Sequence, residues 1–176
     1  DDAVIHCESE SQAQQILAEL EKRYNECGLE LHPGKTKIIY CKDSNRRGDY
    51  HHTSFDFLGY TFRPREAKNS IRNKLFTSFT PAVSNTAKKS MREKTRESKW
   101  HLRSDLSLEE IAHQFNPVIR GWINYYGRYC KSSLEPVGNH LNYVLIKWAM
   151  RKHKKLRTSY VRAAQYIEKN AEYRSK

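Results

Sequence analysis

Two adjacent carboxylates, Asp1 and Asp2, stand directly before an apolar run, Ala3-Val4-Ile5-His6-Cys7. Carboxylates at the start of a strand are hard oxygen ligands of the kind Mg²⁺ takes, usually one or two of them together with substrate phosphates. Successive strand side chains point to opposite faces, so one Asp of such a pair would be the main ligand and the other peripheral. Taken alone, the pair reads as a solvated chain end, and what lies downstream must decide its weight. The four cysteines, Cys7, Cys27, Cys41 and Cys130, are scattered without a Cys-x-x-Cys pair. That spacing argues against zinc and leaves them as small hydrophobes.

Cations supply the other chemistry. The 176 residues carry a net charge of +12. Residues 1–60 hold seven Lys and Arg against eleven Asp and Glu, a net of −4, while residues 61–176 hold twenty-five against nine, a net of +16. A domain this basic suits a polyanion; a well-solvated surface is the plain alternative. A membrane surface fits poorly, because aromatics and turns interleave with the charges. From Ser84 to Lys99 the pattern is helical, with Lys88, Arg92 and Lys99 on one side. Leu134, Val137, Leu141, Val144 and Trp148 space a last long helix. At about 100° per residue, His140, Lys147, Arg151 and Lys154 fall within roughly 40° of one another, beside that apolar set. The run from Arg151 to Arg157, with Lys154 and Lys155 in it, extends the charge. Arg120, Arg128 and Lys131 stand among Tyr125, Tyr126 and Tyr129, offering cations for phosphates and rings for unpaired bases. Trp122 and Tyr126, four apart, read as core, which leaves Tyr125 as the candidate for a base or sugar contact.

The elements that must position these groups read as α+β. Ala3–Cys7 is a strand. Ser9 with Gln12 forms a capping box for a helix whose Ala13, Ile16, Leu17, Leu20, Tyr24 and Cys27 share a face. Gly28 fits its left-handed stop. Lys37–Cys41 and Phe55–Phe62 are further strands, with Phe55 and Phe57 on one face and Leu58, Tyr60 and Phe62 on the other. A strand over Lys74–Thr80 ends at Pro81. Ser107 with Glu110 opens another capped helix, which Asn116-Pro117 kinks or restarts. A shorter basic helix occupies 159–172. This divides the chain into a β/α piece, 1–65, a connecting hairpin or linker, 66–83, and a helical bundle, 84–176. The opening on Asp1 rather than Met, inside a structural unit, suggests a fragment. Without a long apolar run or a signal-peptide pattern, the chain is expected to be soluble and intracellular, cytoplasmic or organellar.

The order Asp-Asp-Ala-Val-Ile-His-Cys, amphipathic helix, Gly-Leu-Glu-Leu-His-Pro-Gly-Lys-Thr-Lys and Phe-Asp-Phe-Leu-Gly-Tyr-Thr-Phe resembles the later palm motifs of reverse transcriptases. Phe115-Asn-Pro-Val-Ile-Arg-Gly-Trp-Ile-Asn-Tyr-Tyr-Gly-Arg-Tyr129 is similar to the maturase-specific thumb, or X domain, of group II intron proteins. The resemblance implies that Asp1 and Asp2 are the paired Mg²⁺ carboxylates, that Lys35 sits near the outgoing pyrophosphate, and that Phe57, Leu58, Gly59 and Tyr60 form a primer-grip hairpin. It implies group II intron RNA as partner, an RNA/DNA primer-template for the intact protein, help with intron folding and splicing, and copying of RNA into DNA. The fingers, the front of the palm and the first catalytic Asp of the family pattern are not in these residues. Two-metal transfer needs carboxylates from both strands, so the chain alone is not expected to polymerise. Half of a split RNA-directed DNA polymerase and a non-specific basic nucleic-acid-binding protein remain open alternatives.

Overall fold

The computed structural model describes residues 3–46, 48–69, 71 and 73–172. Its elements are α1 (Glu10–Glu26), β1 (Phe55–Phe57), β2 (Tyr60–Asn69), β3 (Lys74–Val83), α2 (Asn85–Glu97), α3 (Leu108–Tyr126), α4 (Glu135–Lys152) and α5 (Tyr160–Glu172), an α+β chain. The strands form one sheet in the order β1-β2-β3. Two compact units divide at Thr80/Pro81.

In the first unit, the Ser9 hydroxyl accepts the Gln12 N–H at 3.2 Å, while the Gln12 side chain accepts from the Glu8 N–H at 2.7 Å. The return bond of the cap is thus made one residue earlier than a standard box requires. Gly28 stops the segment at φ 71°. Along α1, Ala13, Ile16, Leu17, Leu20 and Tyr24 are half-buried and none is fully enclosed. Residues 3–7 and 37–41 are not strands: neither joins a ladder among the described residues, although the Tyr40 N–H donates to the His52 carbonyl at 2.8 Å.

Residues 55–62 do not form one strand either. Leu58 at φ 49° and Gly59 at φ 80° fold them into a hairpin with Phe55 opposite Phe62, Asp56 opposite Thr61 and Phe57 opposite Tyr60. Two positive-φ residues give a turn whose twist matches that of the strands it joins. The face assignment therefore changes: Phe55 and Phe62 lie together, their rings stacked at 4.8 Å. β3 runs on through Pro81 to Val83. As an edge strand, it tolerates a residue without an N–H.

The second unit is helical. Ser84 caps α2 by accepting the Ala87 N–H, and Ser107 and Glu110 make both halves of the capping box of α3. Pro117 does not restart α3, which is continuous from Leu108 to Tyr126. A proline removes one hydrogen bond, while the packed line Phe115, Ile119, Trp122 and Tyr126 spans the break. α4 is the centre. One of its sides gives Val137, Leu141 and Val144 to a core with Val83, Met91 and Trp100; another gives Ile146, Trp148 and Ala149 to a core with Ile111 and Ala163. The single apolar face expected from the 3-4 spacing is split between the two cores: Trp148 belongs to the second stripe, whose Ile146 and Ala149 the spacing omits. The Trp148 indole N–H donates to the Arg103 carbonyl at 2.9 Å, and the Lys152 ammonium donates to the Ser104 and Leu106 carbonyls, tying the 103–106 loop to this helix.

Candidate nucleic-acid interface

Asp1 and Asp2 lie outside the described residues. Among the described residues, no group of three or more His, Cys, Asp or Glu is placed to hold a metal ion. Lys35 is exposed in the His32–Lys35 turn, where its N–H donates to the His32 carbonyl at 3.0 Å. Phe57, Leu58, Gly59 and Tyr60 do meet in one structure, the turn of the hairpin. Tyr60 is 7% exposed and holds the base, whereas Leu58 is 64% exposed at the tip. Left-handed backbone at a residue with a side chain is strained, so the tip holds an apolar group out at a local energetic cost.

The helical unit carries the nominated cations. Lys88 and Arg92 are half-buried on α2, and the Arg92 Nε donates to the Lys88 carbonyl at 3.3 Å. Lys99 is exposed but not on that helix. It adopts φ 53° just beyond the helix end at Glu97 and leads into a 3₁₀ turn, Trp100–Leu102. Arg96, exposed on α2, acts with Arg92 on His140 of α4.

His140 does not join the phosphate-facing group. Its Nε2 is buried without a hydrogen-bond partner. Burial first, then the charges of Arg96 and Arg92, push its pKa below the ordinary imidazole value. A neutral imidazole belongs to the α2–α4 seam and offers no charge to an anion. Lys154 also leaves the helical face, because His153 is extended and leads into a further 3₁₀ turn, Lys154–Leu156. Lys155 is exposed there, and Arg157 is exposed just past it.

On the α3 side, Arg120, Tyr125, Arg128 and Lys131 are all exposed. The Arg128 guanidinium lies 6.0 Å from the Tyr129 ring centre, and Tyr125 meets Tyr126 edge-on at 4.7 Å. Trp122 and Tyr126 pack against the core, as their spacing indicates.

Packing on two sides leaves α4 a narrow solvent stripe: Asn139, Tyr143, Lys147 and Arg151, each four residues after the last. The Lys147 ammonium stands 5.4 Å from the centre of the Tyr143 ring. Tyr143 was not among the sequence candidates; its position one turn before Lys147 was the available signal. The ion pairs of the described residues are Arg23–Glu26, Arg46–Asp43, Lys89–Glu93 and Arg103–Asp105, and none engages a nominated cation.

Two family models match the chain. One, described as group II intron, maturase-specific domain, covers residues 88–166; the other, described as reverse transcriptase (RNA-dependent DNA polymerase), covers residues 1–62. No curated protein and no solved structure matches it.

Proposed function

Starting from a chain that belongs to the group II intron maturase/reverse transcriptase family, we propose that residues 81–176 bind structured intron RNA through the exposed cations of α3, α4 and the turns that follow them. Domains of these two kinds imply a nucleic-acid partner. The observation that carries the reading is that Arg120, Arg128, Lys131, Lys147, Arg151, Lys154, Lys155 and Arg157 are all exposed and that none forms an ion pair with another described residue. Unpaired surface cations release counterions when they meet phosphates, so the binding is salt-dependent.

In splicing, the catalytic centre is the RNA's own, and the protein's part is differential binding. Favouring the active fold by several kcal/mol shifts its population many-fold. Copying RNA into DNA is assigned to the intact protein. Mg²⁺ chemistry there would rest on Asp1 and Asp2 with further carboxylates. Lys35, exposed in its turn, is free to neutralise charge on a departing pyrophosphate.

The test is replacement of Lys147, Arg151 and Lys154 together by Ala, read by filter binding of a folded group II intron across a salt series. Loss of three phosphate contacts lowers the salt slope by about 2–3, while helical circular dichroism is unchanged. An unaltered slope removes this surface from the interface. Equal competition by heparin, duplex DNA and intron RNA identifies a non-specific basic protein instead.

A further inference from the structure

We propose that the solvent stripe of α4 is a site for an unpaired nucleotide of the bound RNA, with a base stacked on Tyr143 and the neighbouring phosphates on Lys147 and Arg151. The proposal rests on the RNA-binding reading above and names the form of RNA that this surface takes.

A helix buried on two sides has little surface left, and beyond Asn142 the exposed residues of α4 are one ring and two cations, Tyr143, Lys147 and Arg151. Tyr143 is 47% exposed although both cores lie close by on the same helix. Its ring has Lys147 beside it at 5.4 Å, and Arg151 follows about 6 Å further along the axis. The stripe from Asn139 to Arg151 contains no Asp or Glu. Its charge therefore complements a phosphate backbone. The ring adds a preference that cations alone lack. In an A-form duplex the bases are stacked on each other, whereas an unpaired base offers its face to an aromatic side chain. A ring flanked by a cation suits this pairing, because every base has a π-face and a phosphate attached nearby.

The experiment compares the full chain with Tyr143→Ala and Tyr143→Phe on two probes, an unstructured oligouridylate and a blunt RNA duplex of equal length. Tyr143→Ala is expected to weaken oligouridylate binding by about 5- to 150-fold, the effect of losing one stacked base, and duplex binding by less than about two-fold, within the range of an uncharged surface change. Tyr143→Phe retains binding of both probes, and unchanged helical circular dichroism shows that both variants fold. Equal losses on the two probes, or undiminished oligouridylate binding by Tyr143→Ala, overturn the proposal while leaving RNA binding by the unit intact. A wild-type chain that binds neither probe nor intron RNA overturns both readings.

Discussion

Residues 1–80 hold twelve Lys and Arg and twelve Asp and Glu, a net of zero, whereas residues 81–176 hold twenty against eight, the whole +12 of the chain. Packing divides at the same place. Among the described residues of the first unit, Tyr60 is the one buried side chain, while Val4, Ile5, Leu29, Leu58, Leu75 and Phe76 are exposed. The second unit encloses Met91, Trp100, Ile111, Leu141, Trp148 and others in two cores. Apolar enclosure is the main favourable term in folding. The helical unit thus derives stability from its interior and leaves its surface free to carry unpaired cations. The β/α unit has closed little of its apolar surface, and its neutral charge gives it no pull on a polyanion.

The strongest way to break this comparison is a pair of core truncations. Ile111 is 2% exposed, and Ile111→Ala is expected to cost about 2–5 kcal/mol. Leu17→Ala on half-buried α1 costs less than about 1 kcal/mol, since little area returns to water. Trp100, Trp122 and Trp148 all lie in the second unit, so tryptophan fluorescence in a urea titration reads Ile111→Ala, and far-UV circular dichroism, which includes α1, reads Leu17→Ala. Similar midpoints for both variants would mean that the two interiors do not differ.

A smaller effect of opposite sign belongs to the hairpin. Leu58 at φ 49° sits where Asn is tolerated far better. Leu58→Asn should raise stability by about 1 kcal/mol, the lower end of the left-handed penalty, read as a later urea midpoint by far-UV circular dichroism. A midpoint that moves earlier shows that the exposed leucine contributes more than its backbone costs.

The smallest effect is set by pH and confined to the helical unit. Burial, Arg96 and Arg92 depress the His140 pKa in the folded state, so the unfolded chain takes up the proton first. The stabilisation is complete above the unfolded value, about 6.5, and is lost as pH falls through the folded one. Thermal midpoints followed by tryptophan fluorescence should decline from pH 7.5 towards 5.5, an interval that brackets the unfolded value, and decline less in His140→Gln. Parallel profiles would remove His140 as the cause.

The helices were legible because their signals are local. Ser9, Ser84 and Ser107 each accept the N–H three residues on, and Gly28 takes the left-handed stop. The hairpin was hidden because its turn begins with Leu58, a residue that advertises no turn, and only the resemblance pointed to it. The expected strands at 3–7 and 37–41 have β character, but a strand needs a neighbour that composition does not name. The candidate surface was legible in residue type and less so in place. His140, Lys99 and Lys154 match the basic pattern, yet one is drawn into a seam and the others lie beyond helix ends set by single backbone angles. Tyr143 was hidden because its exposure follows from the second stripe of α4, of which the 3-4 pattern contains Trp148 but not Ile146 or Ala149.

That second stripe has a consequence for how the helical unit comes apart. Phe115 and Leu145 pack against both cores, and both cores share α4. Opening either half would strip part of the wall of its neighbour, so the two cores are coupled through α4, Phe115 and Leu145, and loss of one is expected to weaken the other.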